Sequence, residues 1–354
     1  MTQKQQTDIN TIKANKLPGI RGIANGMEGK NYPFDDCMAF IMERLGENPQ
    51  LDYWTFTWIT GDGFTQIYNK NQSTRCEYCV SGYLAGREHI NNVFNAIGYD
   101  CTYVTAKQIN ADKGQFIQKV KDYINNGIPV LVKTTMAETP TENSEFTYCL
   151  FVGYEDGGNI LLYTNPYENI VSYDTNNTIK QDWIFIGEKK RDVIYSDIIL
   201  NAVKNMRHRL TMPENNGKCY GAAAFRSWAD DVENGRFDNE SDLWANYGVY
   251  FCVLATNSWA NNISDAPYAS LINKFAQIHP EFGVVKDKIA EQYFKIGNGD
   301  GAGGIWKELE DLGGGFNVSN KALCDKEKKT KICEKLREAA DCMEAVARIL
   351  QQNI

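Results

Sequence analysis

From residue 128 to residue 186 the chain runs in short apolar segments joined by very short connections, and this constrains the fold more than any other feature. Residues 128–133 (IPVLVK), 148–154 (YCLFVGY) and 159–164 (NILLYT) read as strands, and 170–173 and 183–186 as shorter ones. Glu155-Asp156-Gly157-Gly158 is a hairpin turn of the Asp-Gly type. Strands this closely connected pair antiparallel, because a parallel crossover needs a dozen or more residues. Helical periodicity flanks them. Cys37, Phe40, Ile41 and Leu45 recur at three- and four-residue spacing, with Asp35 or Asp36 as N-cap and Gly46 as C-cap. Residues 84–97 and 114–126 follow as helices. After about residue 190 strands are expected to stop, and 193–209, 219–233, 244–257, 268–278, 284–294, 305–312 and 321–352 read as helices. The fold class is α+β: a domain with an antiparallel sheet at 26–190, then a C-terminal all-α domain at 191–354, with 1–25 as a flexible tail.

Composition narrows the function. Lys and Arg number 37 against 45 Asp and Glu, a net charge of −8, which argues against a sequence-independent grip on nucleic acid. The longest apolar run, residues 247–255, is far below the roughly 20 residues of a membrane span. The N-terminus is polar without an apolar signal region, so a cytoplasmic location is expected. The ten cysteines are scattered, as suits free thiols packed as small apolar groups. Cys76 and Cys79 form a CxxC pair without a second pair or a His pair at ligand spacing, so no metal and no cofactor is expected. The glycine tract 297–304 lacks a preceding strand and a Lys-Ser/Thr ending, and reads as a helix connector.

The strongest chemical candidate is Cys37, placed by periodicity in the first turn of its helix. Unpaired N–H groups and the positive helix end there favour thiolate. Asn31, six residues earlier, can donate an amide hydrogen bond to a developing oxyanion. Trp54, Trp58, Asp62 and Phe64 lie in an aromatic-rich stretch that can line a pocket for a peptide or small molecule.

The order Asp36-Cys37, Gly127-Ile128-Pro129-Val130, Val152-Gly153-Tyr154, Asp156-Gly157 and Asn165-Pro166 resembles the papain-like cysteine peptidases. It is closest to the C39-like branch and to butirosin biosynthesis protein H-like N-terminal domains with their helical companion domain. The resemblance implies a papain-like domain, Cys37 as nucleophile and Asn165 as a further catalytic residue. Two departures stand out. The family pattern has Gln where this chain has Asn31. Its histidine opens the strand at 147–148, where this chain has Thr147 and Tyr148. Tyr148, with an ordinary pKa near 10, is a poor base. The three histidines, His89, His208 and His279, do not fall at that point of the order. The expectation is therefore a peptidase-like protein that is not proteolytic and binds a peptide or small metabolite by Cys37. The alternatives are an active Cys37-dependent amidohydrolase or acyltransferase, and an interaction or sensor module whose helical half pairs two copies as a homodimer.

Overall fold

The computed structural model describes residues 13–23, 30–71, 86–135, 146–164, 170–238, 271–297, 304–313 and 320–354. In chain order the elements begin with strand β1 (Asn15–Lys16), helix α1 (Pro33–Arg44), helix α2 (Tyr53–Thr60), strand β2 (Ile67–Asn69) and helix α3 (Arg87–Ala96). Strand β3 (Tyr99–Val104) and helices α4 (Ala106–Ala111) and α5 (Lys113–Asn125) lead into β4 (Val130–Thr135) and β5 (Phe146–Glu155). Then come β6 (Ile160–Thr164), β7 (Val171–Asp174), β8 (Asp182–Lys189), α6 (Tyr195–Leu210), β9 (Lys218–Tyr220) and α7 (Gly221–Glu233). The chain ends with α8 (Leu271–Ile278), α9 (Gly283–Ile296), α10 (Gly304–Asp311), α11 (Asn320–Cys324) and α12 (Lys326–Asn353).

The chain divides into two units that interleave in sequence. The first comprises residues 1–49, 99–136 and 147–190; the second comprises 50–98, 137–146 and 191–354. One division falls at 190/191, where the helical half was expected to begin, but residues 50–98 group with that half.

The first unit is built on a sheet of order β3-β8-β4-β5-β6-β7, with β1 added against β5. The pairs β3–β8, β4–β8, β5–β6, β6–β7 and β1–β5 are antiparallel. The β5–β6 turn follows the Asp-Gly expectation: Asp156 and Gly157 both take positive φ, 45° and 67°. Helix α5 packs on β1 and β4. Tyr123 seats it by donating to the Ile186 carbonyl at 2.5 Å and meeting Phe185 edge-on. The sequence reading placed no strand at β3, although Tyr99, Cys101 and Tyr103 alternate with Asp100 and Thr102. It also placed 1–25 as a flexible tail, and 13–23 correct that. Asn15 and Lys16 pair with Tyr154 and Gly153, the Leu17 N–H bonds the Val152 carbonyl at 2.8 Å, and Leu17 and Ile23 are buried. Close approach is possible because Gly153 has no side chain: a Cβ there would lie 2.9 Å from the Asn15 carbonyl oxygen.

The second unit is mostly helical. Helix α12 packs against α7, α9 and α10 through a stripe that includes Ile332, Leu336, Ala339, Met343, Val346 and Leu350, all buried. Asp325 caps it, accepting from the N–H groups of Glu327 and Lys328, and separates it from α11. The unit is not all-α, however. β9 pairs antiparallel with β2, so strands continue past residue 190. Cys219 and Tyr220 were expected to open a helix; the backbone turns helical only at Gly221, whose φ of 56° suits glycine. The expected helix at 244–257 lies outside the described residues.

Candidate functional site

Helix α1 starts earlier than its apolar rhythm suggests. Pro33 is the first helical residue, and Tyr32 before it is extended, as a residue preceding proline prefers. Asp35 and Asp36 therefore sit in the first turn, not at the cap, and complement the positive helix end. Cys37 becomes the fifth helical residue, beyond the turn whose N–H groups lack intrahelical partners. This corrects its expected first-turn placement.

The surroundings of Cys37 are closed and acidic. Its side chain is fully buried, as are Asp35 and Asp36. Burial pushes its thiol pKa well above the ordinary value. Cys149, Asp36 and Asp35 push in the same direction, and Arg21 only partly offsets them. Cys149, on β5, is itself buried and its thiol is pushed up to about 12 by burial. The Cys37 sulfur is thus a protonated thiol at neutral pH, opposite to the thiolate that first-turn placement implies. Arg21 grips Asp36 through two parallel bonds, 2.7 and 2.9 Å, the fork geometry of a strong guanidinium–carboxylate pair. Lys30 adds a longer contact at 3.8 Å. The Arg21 guanidinium lies 5.3 Å from the centre of the Phe40 ring. Desolvation pulls the Arg21 pKa down, but the bonds and charge of Asp36 outweigh it and the net shift is upward.

Tyr148, at the strand position where the resemblance expects histidine, is buried. Its ring meets Phe34 of α1 edge-on, with centroids 4.7 Å apart. It joins β5 to α1 through an aromatic contact. Asn31 is half-buried just before α1. Asn165 lies outside the described residues, as do Cys76 and Cys79. Among the described residues no group of three or more His, Cys, Asp or Glu is arranged to hold a metal ion, and the seven described cysteines are free thiols.

Trp54, Trp58, Asp62 and Phe64 belong to the second unit. Asp52 caps α2, accepting from the Thr55 N–H at 2.9 Å, and Gly61 ends it at φ 95°. Trp58 and Phe64 stand edge to face, and Tyr293 of α9 donates to the Phe64 carbonyl at 2.8 Å. All four residues are buried.

The three histidines also lie in the second unit. His89 on α3 is buried, with Nδ1 3.5 Å from Arg209 Nη2, and burial plus that charge lower its pKa to about 3. His208 is exposed in the last turn of α6, beside Arg207 and Arg209. His279 follows α8, with Nε2 3.2 Å from the Ser196 carbonyl. The unit that carries Cys37 contains no histidine. Arg21 was missed by the sequence reading, which took its segment as tail. Its only local signal is a cation among small and apolar residues.

A buried helix-borne cysteine thus shares a unit with an antiparallel sheet in which β5 runs into an Asp-Gly hairpin. Residues 37–190 match a family model described as the Peptidase_C39 like family, a span that opens on Cys37 itself. A search among curated proteins found no match. Among the described residues no helix is long and apolar enough to cross a membrane.

Proposed function

We propose that this chain is a cysteine-peptidase-like protein that does not cleave amide bonds and instead binds a peptide or small metabolite beside Cys37. One observation carries the reading: the Cys37 thiol is enclosed and held protonated in a unit without histidine. Thiol catalysis needs a thiolate and a group that takes and returns a proton near neutral pH. Buried carboxylates on the same helix turn oppose the first requirement. Tyr148, packed against Phe34, does not supply the second. Arg21, which alone among the charges acting on Cys37 favours thiolate, is already paired to Asp36. The finer likeness, to butirosin biosynthesis protein H-like proteins, and an acyl transfer through a Cys37 thioester remain the competing reading. It gains from the family match, whose span begins at Cys37.

The experiment is thiol mapping of native protein with iodoacetamide between pH 5 and 9, followed by mass spectrometry. Cys37 is expected to stay unmodified across the range, while exposed Cys324 reacts with rising pH. A single thiol that alkylates rapidly at pH 6, and disappears in Cys37→Ala, would overturn the proposal in favour of the catalytic reading.

A further inference from the structure

The second unit holds a cavity of about 910 Å³ between α3 and α6, within the size range of small-metabolite sites. Among the described residues its lining includes Arg191, Lys204, His208 and Arg209, against a single carboxylate, Glu88. Arg209 is the unusual member. It is only partly exposed, and its polar partners among the described residues are neutral: Met212 Sδ at 3.8 Å and His89 Nδ1 at 3.5 Å. Its Nε is buried without a hydrogen-bond partner. Desolvation lowers the Arg209 pKa, and buried Asp62 opposes this through space without forming an ion pair. A half-buried guanidinium whose partners are an imidazole and a thioether leaves an uncompensated positive charge in the cavity wall. His89 is suited to that role: with a pKa near 3 it stays neutral, so Nδ1 accepts from Arg209 instead of repelling it. Gly61 makes room for the arrangement, since a Cβ there would lie 3.2 Å from Arg209 Cγ.

The remaining lining is rich in side-chain amides. Asn92, Asn201 and Asn205 are exposed at the cavity, each offering both donors and acceptors. Arg191 donates to the Asn95 carbonyl at 2.5 Å on the same rim. The basic residues also suit the negative C-terminal end of α6. That accounts for exposed His208, but not for a guanidinium drawn inward with an unsatisfied Nε.

We infer that this cavity is a binding site for a small phosphate monoester with a hydroxyl-rich body, its phosphate on Arg209 and Lys204 and its hydroxyls on the asparagine amides. Guanidinium and ammonium groups together match a dianionic phosphate, and amides match vicinal hydroxyls. The site does not depend on the chemistry of Cys37, so thiol mapping and the following test succeed or fail separately.

The test is calorimetric titration of the full chain with ribose 5-phosphate, inorganic phosphate, ribose and citrate. Ribose 5-phosphate is expected to bind, inorganic phosphate more weakly and ribose not at all. Arg209→Gln is expected to weaken ribose 5-phosphate by about ten- to a hundredfold, as the loss of charge-assisted hydrogen bonds implies. If Arg209→Gln does not fold, Lys204→Gln, at an exposed position, carries the test with a smaller loss in the same direction. Absence of binding by both phosphate probes, equal affinity for citrate, or wild-type affinity in the folded variants would each overturn the inference.

Discussion

At the scale of single residues, two buried polar groups show how neighbours set chemistry. Cys37 is suppressed by burial and by nearby acidic groups. His89 is suppressed by burial and by Arg209, and its titration has a measurable consequence. In the unfolded chain the imidazole takes a proton near pH 6.5, whereas in the folded chain it does so only near pH 3. Between those values the unfolded state binds more protons, so stability falls as pH falls through that window and levels off below it. The slope from this group approaches about 1.4 kcal/mol per pH unit. Urea unfolding of wild type and His89→Gln between pH 4.5 and 7 is expected to show that the variant loses this component. Parallel pH profiles would mean that His89 is not held neutral.

At the scale of elements, close approach decides what a pattern of apolar residues cannot. Strand β1 is two residues long and has no apolar alternation of its own. It stays in the sheet because Gly153 lets its backbone lie against β5, with the Gly157 N–H bonded to the Lys13 carbonyl at 2.7 Å nearby. In Gly153→Ala the new methyl would meet the Asn15 oxygen at 2.9 Å and a Leu162 methyl at 3.0 Å. We expect β1 to be displaced, with a loss of about 1–3 kcal/mol typical of overpacking. Hydrogen exchange reads this directly: the Leu17 N–H, bonded to Val152, should exchange much faster in the variant. Unchanged protection would show that the strand is held by other contacts. Helix α1 makes the complementary point. Its apolar stripe was legible from Cys37 onward, but its true start was set by Pro33, one turn earlier, and that turn separates a helix-end thiolate from a core thiol.

At the scale of the whole molecule, the linear domain reading and the spatial one part at residues 50–98. This segment follows Cys37 and falls inside the matched span 37–190, yet its contacts are with the helical unit. Helix α2 packs on α6, and β2 pairs with β9 and packs on α7. Tyr68 of β2 stacks over Trp228 and accepts from Arg236 at 2.6 Å. A fragment of residues 1–190 would therefore expose Trp58, Phe64 and Tyr68, all buried in the full chain. It is expected to bind a hydrophobic dye and to be cleaved rapidly by protease within 50–98, whereas the full chain resists. A protease-resistant fragment with no dye binding would show that the segment folds without its helical partners.

Local pattern alone determined much of this protein. Short apolar runs, close connections and the Asp-Gly turn pointed to the antiparallel strands β4 to β8. Apolar residues over 321–352 pointed to a long C-terminal helix, which Asp325 divides from α11, and the order around Cys37 pointed to the family whose model matches 37–190. These are properties of a few neighbouring residues, so they survive in one dimension. Only the tertiary structure decided that Arg21 pairs with Asp36 from fifteen residues away, that the Tyr148 ring meets Phe34, that 50–98 joins the helical unit, and that Arg209 lines a cavity without an ion pair to it among the described residues. Each of those depends on distance and solvent exclusion between segments far apart in the chain, and no local run of side chains encodes either.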